Sequence, residues 1–131
     1  MKEEKGLVYN KNFLDAWKNA FNGIKHTLKT QRNIRIQVII AIIMIIFGIV
    51  FKLNNLEWIS LCFAIFLVVI TEMINTGIEA VVDLYTTTFH PKAKIAKDVG
   101  AGAVVLAVIN AAFIGYFLFF NRIVEFIINK G

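Results

Sequence analysis

The sequence predicts an all-α integral membrane protein, in which one amphipathic helix lies on the membrane surface and three helices cross the bilayer. The 131 residues are 58% hydrophobic, with a mean hydropathy of +0.69. These values are typical of a membrane protein rather than of a soluble domain of this length. Four apolar or amphipathic segments also occupy almost the whole chain. We therefore expect a single membrane domain over residues 1–131, with its chemistry in or beside the bilayer.

The first segment, residues 10–32, has the pattern of an amphipathic surface helix. Asn12 is a candidate N-cap, and Asp15 follows at the spacing of a capping box. One helical face carries Phe13, Trp17, Ala20, Phe21, Ile24 and Leu28. Lysines occupy the other face, which suits an anionic membrane surface, although a soluble amphipathic helix would share the pattern. Gln31 would project onto the middle of the apolar face if the helix continues that far.

Three further segments are long enough to cross a bilayer, which takes about 20 helical residues. The predicted spans cover residues 34–53, 56–83 and 91–120. We expect the second helix to end, and the third to begin, in a cytoplasmic extension. Pro91 fits the first position of the third helix, where a missing N–H loses no partner. Small residues at 100–103 would let another helix approach closely.

Lysine and arginine are distributed unevenly along the chain. Residues 1–35 contain eight of them and residues 84–98 contain three, against three elsewhere. By the positive-inside rule, the N-terminus and the 84–98 connection are cytoplasmic, and three spans then place the C-terminus outside. The net charge of +5 thus reflects membrane topology. The sequence lacks the contiguous basic and aromatic pattern of a nucleic-acid-binding domain.

The strongest functional signal is a polar stripe where the second span ends. The stripe consists of Glu72, Asn75, Glu79 and Asp83. All four fall within about 80° of the helical wheel. Because a charged side chain near the bilayer centre costs about 2.5–3.5 kcal/mol, the stripe indicates a site with cations, a metal or a water-filled cleft. Acidic pairs one turn apart also occur on ordinary solvated helix faces.

The chemistry of the stripe matches magnesium and polyphosphate binding. Glu79 and Asp83 offer hard oxygen ligands, and Lys97 and Asp98 add an ammonium group and a carboxylate. Glu72 is the deepest carboxylate, and removal from water makes such a group a better general base. Its alternative role is a hydrogen bond in helix packing.

Several other function classes lack support in the sequence. No P-loop pattern is present, and the glycines at 100 and 102 lack the third glycine of a dinucleotide fingerprint. No cysteine and histidine cluster has zinc spacing, and no serine or cysteine lies near a histidine that would activate it. His90 is interpreted most simply as a residue of the loop-to-helix transition, with a nucleotide contact as the alternative.

Two segments resemble the prokaryotic diacylglycerol kinase family of small integral membrane lipid kinases. These are Glu-Met-Ile-Asn-Thr-Gly-Ile-Glu-Ala-Val-Val-Asp at residues 72–83 and the run that begins His-Pro-Lys-Ala-Lys-Ile-Ala-Lys-Asp at residue 90. The resemblance extends over roughly residues 10–120 in order and spacing. The second run is more similar to the Gram-positive branch, which acts chiefly on undecaprenol, than to the Gram-negative branch, which acts on diacylglycerol.

The resemblance implies a lipid kinase of the bacterial plasma membrane, a homotrimer with active sites shared between subunits. Such an enzyme uses ATP and Mg²⁺ to phosphorylate a lipid hydroxyl. Undecaprenol is the expected acceptor. A diacylglycerol kinase with the same mechanism and a non-catalytic membrane relative are the alternatives.

The resemblance also implies roles for individual residues. Glu72 matches the catalytic base and Glu79 the carboxylate that binds the metal of Mg-ATP. The matching nucleotide contacts are Glu79, His90, Lys97 and Asp98, with Asn75 and Asp83 as support for the motif or the substrate. The family usually supplies a second metal-binding glutamate where this chain has Gln31. An amide oxygen can bind magnesium but brings no charge, so this departure predicts weaker metal binding.

Overall fold

The computed structural model describes residues 12–129, and these residues form four α-helices without a β-strand. The helices are α1 (Phe13–Thr30), α2 (Arg32–Val50), α3 (Asn55–Tyr85) and α4 (Pro91–Ile128). The last three are long and apolar enough to cross a membrane, so the predicted all-α class with three candidate spans is confirmed. Residues 10 and 11 of the predicted surface helix lie outside the described residues.

α1 begins after Asn12, as its position in the sequence suggested, but the capping box is not formed. The Asn12 side chain makes no capping hydrogen bond. The helix ends at Thr30, and Gln31 has an extended backbone with φ −96° and ψ 119°. α2 then begins at Arg32. The wheel that placed Gln31 on the apolar face of α1 assumed a continuous helix, and this break moves Gln31 into the junction between two helices.

A tight turn joins α2 to α3 at the end of the bundle away from the polar stripe. α2 ends at Val50, three residues before the predicted limit of the span. Lys52, in the turn that follows, has a left-handed backbone conformation with φ 51°. Asn54 and Glu57 then form a reciprocal capping box, with N–O distances of 3.1 and 2.9 Å. This cap sets the start of α3 by satisfying two backbone N–H groups.

α3 and α4 pack as an antiparallel helical hairpin. Near the α2–α3 turn, Arg122 Nη2 donates to both carboxylate oxygens of Glu57, at 2.8 and 2.9 Å. At the opposite end, Lys97 on α4 contacts Asp83 on α3. A buried apolar cluster near Arg122 consists of Leu53 from the α2–α3 turn and Leu61, Leu118 and Phe119 from the hairpin. The pairing therefore brings the polar end of α3 against the first turns of α4.

α1 and the three long helices expose many apolar side chains on this chain. On α1, the rings of Phe13, Trp17 and Phe21 follow one another along one face, with centroids 6.0 and 6.1 Å apart. All three rings are exposed. The long helices likewise expose much of their apolar surface, since only 11–22% of the most apolar windows is buried within one chain.

Candidate active site

Glu72 is the most deeply placed carboxylate of the polar stripe. Its side chain is 3% exposed, and its carboxylate Oε2 accepts a long hydrogen bond of 3.4 Å from Gln37 Nε2 on α2. Within residues 12–129 it forms no ion pair. Because its partner is a neutral amide, the carboxylate is held in place without being neutralised.

Asn75 and Glu79 follow Glu72 along the polar stripe and lie one helical turn apart. Asn75 Nδ2 donates to Glu79 Oε1 at 3.1 Å, and Asn75 is 8% exposed. Its Oδ1 atom is buried and has no hydrogen-bond partner within residues 12–129. Gly100 on α4 lies directly against this oxygen, so that a Cβ there would collide with it. The predicted close approach of helices at the small residues is thus made at Gly100, whereas Gly102 faces open space.

Asp83 and Lys97 close the hairpin at the end of α3. Lys97 Nζ donates to Asp83 Oδ1 at 2.6 Å. This hydrogen bond is the main reason that the pKa of Lys97 is raised, and the negative charges of Asp83 and Glu79 add to it. A cleft of about 300 Å³ adjoins this pair. It is lined by Asp83, Thr86, Thr88, His90, Lys94 and Lys97 among others. The cleft therefore combines cationic, hydroxyl and imidazole groups that could contact phosphates.

Two of the predicted site residues do not line the cleft. Asp98 forms an ion pair with Lys94 on its own helix and does not line the cleft. The two neighbours Lys97 and Asp98 thus point to different partners rather than acting as one pair. Gln31 lies half-buried at the α1–α2 junction, and its role as a metal ligand stays a prediction.

The match to a known protein family covers most of the chain, including α3 and the larger part of α4. The family model described as prokaryotic diacylglycerol kinase matches residues 18–119. This chain belongs to that family. It is accordingly a lipid kinase, a phosphotransferase whose acceptor is an alcohol, and the resemblance described from the sequence is confirmed.

Individual relatives of this lipid kinase differ in their acceptors. Undecaprenol kinase of Bacillus subtilis strain 168 is 34% identical over 111 residues, which cover 85% of this chain and 90% of that protein. A diacylglycerol kinase of Synechocystis sp. is 38% identical over 105 residues, which cover 79% of this chain and 60% of that protein. The diacylglycerol kinase of Escherichia coli K12 is 26% identical over 92 residues, covering 70% and 75%. Both kinds of relative therefore match at similar identity.

The donor set of this lipid kinase fits a magnesium ion that arrives with nucleotide phosphates. The described residues contain no group of three or more His, Cys, Asp or Glu that could hold a metal alone. Glu79 keeps one carboxylate oxygen free of the Asn75 bond, while Asp83 is committed to Lys97. Magnesium in kinases is bound through one or two carboxylates together with phosphate oxygens and water. Glu79 would supply a carboxylate oxygen to that shell.

One residue of the site was missed by the sequence analysis. Gln37 reaches Glu72 from α2, although nothing in the local pattern links the two positions. A signal was present: Gln37 is a lone amide between Ile36 and Val38, just inside an apolar span. Polar side chains at such positions tend to be functional, because leaving them unpaired in lipid is unfavourable.

Proposed function

We propose that this lipid kinase transfers the γ-phosphate of ATP to the hydroxyl of undecaprenol, with Glu72 as the general base. The observation that carries the proposal is the environment of Glu72, a buried carboxylate held by an amide. Asn75 and Glu79 continue the same helical face toward the cationic cleft. A hydroxyl at Glu72 and a polyphosphate in the cleft would then lie at neighbouring positions along α3.

The proposed reaction is a direct displacement. Glu72 takes the hydroxyl proton while the lipid oxygen forms a bond to the γ-phosphorus, and the bond from that phosphorus to the bridging oxygen of ADP breaks. Lys97 stabilises the negative charge on the phosphates. His90 and Asp98 are proposed to contact the nucleotide, with Asp83 holding Lys97 in place. Magnesium bound through Glu79 and Gln31 would neutralise part of the phosphate charge.

Diacylglycerol is the second candidate acceptor. Undecaprenol is favoured by the relative in Bacillus subtilis, which is matched over 90% of its length. Diacylglycerol is favoured by the 38% identity to the relative in Synechocystis. Assays of the purified kinase with Mg-ATP and each lipid in parallel separate the two. A larger kcat/KM for diacylglycerol would refute the undecaprenol proposal while leaving the mechanism intact.

The membrane arrangement is also part of the proposal. The excess of lysine and arginine in residues 1–35 and 84–98 supports a cytoplasmic N-terminus and cleft in a bacterial plasma membrane, where ATP is available. The wide apolar surface of each chain supports lipid contact and assembly into a homotrimer. Labelling of single-cysteine variants from each side of the membrane tests the orientation, and the mass of the detergent-solubilised particle tests the assembly.

Glu72→Gln is the decisive variant for the base. The change keeps the size of the side chain and removes proton acceptance, so lipid phosphorylation should be abolished while the oligomer stays intact. Glu125→Gln is the matched control, because Glu125 is exposed near the far end of α4. Phosphate incorporation and gel filtration in detergent are the two readouts. Substantial activity in Glu72→Gln would reject the base.

A further inference from the structure

The last turns of α4 lie beyond the part of the chain that matches the family. The match ends at residue 119, whereas α4 continues to Ile128. This extension packs back on the bundle, since Ile123 contacts the buried apolar cluster and the ring of Phe126 contacts that of Phe51 at the end of α2. The family resemblance assigns no role to these residues, and their contacts are what indicates one.

The ring of Phe51 contacts two rings of α4. Its centroid is 6.3 Å from that of Phe119 and 6.2 Å from that of Phe126, with an interplanar angle of 90° in the second pair. Phe119 and Phe126 are two helical turns apart, which is about 10.5 Å along the axis, so that Phe51 lies between them. Phe119 is buried and supports Phe51 on one side. Phe126 supports it on the other, and together the two rings hold Phe51 against movement along α4.

The middle of α2 has little packing that would fix its position. Ile40 and Ala41 line a cavity of about 480 Å³ that lies between α2, α3 and α4. Tighter contacts are found toward Phe51, where Gly48 lies directly against the ring of Trp58 on α3. The position of α2 relative to the hairpin is therefore set mainly at its Phe51 end.

The contact between Gln37 and Glu72 is sensitive to the position of α2. The hydrogen bond is 3.4 Å long, beyond the usual range of about 2.7–3.2 Å for an N–H···O bond, so a small further displacement breaks it. Gln37 and Phe51 lie on the same helix, about 21 Å apart along the axis. Because each turn of the helix is hydrogen-bonded to the next, a displacement of Phe51 along α4 reaches Gln37 almost undiminished.

We propose that Phe126 is a positioning residue for the phosphoryl transfer. By supporting Phe51, it keeps α2 at the position where Gln37 holds the carboxylate of Glu72. The inference rests on the proposed role of Glu72 as the base and adds to the reaction a residue from the opposite end of the bundle. Phe126 touches neither reactant, and it acts only through Phe51 and α2.

Phe126→Ala tests this role in steady-state kinetics. We expect kcat to fall about three- to tenfold, the usual effect of one lost hydrogen bond. KM for ATP should be unchanged, because the cationic cleft is formed by α3, α4 and their connection, without a residue of α2. A kcat equal to that of the wild type, or a rise in KM for ATP as large as the fall in kcat, would contradict the proposal.

A double variant with Gln37→Met separates the proposed route from a loss of folded enzyme. Gln37→Met alone removes the amide that holds Glu72 and should lower kcat by a similar factor. If Phe126 acts through Gln37, Phe126→Ala should lower kcat no further in this background. A smaller fraction of folded enzyme would instead reduce kcat by the same factor with either residue at position 37, and that result would overturn the proposal.

Three variants serve as controls. Phe126→Tyr keeps the ring and should have the kcat of the wild type. Ile127→Ala truncates the neighbouring side chain, which is exposed, and should also leave kcat unchanged. Arg122→Met weakens the contact of α4 with α3 at Glu57 rather than its contact with α2. A loss of kcat in any of the three that equals the loss in Phe126→Ala would reject the specific role of the Phe126 ring.

Distances between spin labels give a readout that does not depend on turnover. The labels are placed at Ile36 on α2 and Ile74 on α3, both exposed, after Cys62, the one cysteine of the sequence, is replaced by serine. Labelled chains are diluted with unlabelled chains, so that each measured pair lies within one chain. We expect Phe126→Ala to shift or broaden the distance distribution and Phe126→Tyr to preserve it. Should the alanine variant not fold, Phe126→Leu takes its place, and an unchanged distribution in the variant measured overturns the proposal.

The outcomes distinguish this inference from the proposed function. If the wild-type protein phosphorylates no lipid alcohol, the proposed function fails, and the label distances still decide whether Phe126 positions α2. If the wild-type protein is active and Phe126→Ala keeps both its kcat and its label distances, only the role of Phe126 fails.

Discussion

Gly100→Ala tests whether the site depends on the close approach of α4 to α3. In this variant the new methyl group meets Asn75 Oδ1, which already lies against the glycine. Overpacking of a tightly packed contact destabilises by about 1–3 kcal/mol. Asn75 must also move, and with it the 3.1 Å hydrogen bond that holds Glu79. We therefore expect a loss of both stability and activity.

Gly102→Ala provides the reference that isolates the collision. A methyl group at Gly102 meets nothing within 4 Å, and the change from glycine to alanine favours the helix by about 1 kcal/mol at either position. Because both variants gain this stabilisation, it cancels when their free energies of unfolding are compared. Gly100→Ala should thus be less stable than Gly102→Ala by about 1–3 kcal/mol.

Unfolding of both variants in mixed detergent micelles measures this difference, and steady-state kinetics measures the effect on the site. A displacement of Glu79 by about 1 Å would lower kcat by up to about 100-fold, with little change in Gly102→Ala. Equal stability and equal kcat in the two variants would refute the contact between Gly100 and Asn75 as a determinant of the site.

Three further predictions follow from other contacts. Gln31→Glu should lower the magnesium concentration needed for half-maximal activity, because a carboxylate replaces a neutral amide; an unchanged titration would place Gln31 outside the metal shell. Lys97→Met should raise KM for ATP about ten- to 100-fold by removing a charged phosphate contact, and an unchanged KM would exclude that contact. Arg122→Met removes two hydrogen bonds to Glu57, at 2.8 and 2.9 Å, and should lower the free energy of unfolding by about 1–3 kcal/mol with kcat unchanged; a large loss of kcat would contradict its structural role.

Much of α3 could be predicted from the sequence because helical periodicity is a local property. Residues four apart lie on one face, and Asn75 does donate to Glu79. The same rule did not identify the partner of Glu72. The sequence analysis considered a packing hydrogen bond for it, and the observed donor is Gln37, 35 residues away on α2. Such a pair depends on how two helices are placed side by side, which no local pattern specifies.

The ion pairs of the site illustrate the same limit. Lys94 and Asp98 are one helical turn apart and pair as neighbours on a helix do. Lys97 instead pairs with Asp83 across the α3–α4 connection, 14 residues away. Which lysine faces α3 depends on the rotation of α4 about its axis, and the packing at Gly100 helps to set that rotation. The sequence alone could name the charged residues but not assign their partners.

The three carboxylates of the polar stripe have different kinds of partner, and this difference suits the chemistry proposed for each. Asp83 has a cationic partner in Lys97, which occupies one of its carboxylate oxygens. Glu72 and Glu79 receive hydrogen bonds from the neutral amides of Gln37 and Asn75. Amides fix the direction of a carboxylate while leaving its charge available to a proton or a metal ion. The neutral amide of Gln37 therefore fits the proposed role of Glu72, because it positions the carboxylate without placing a competing positive charge beside it.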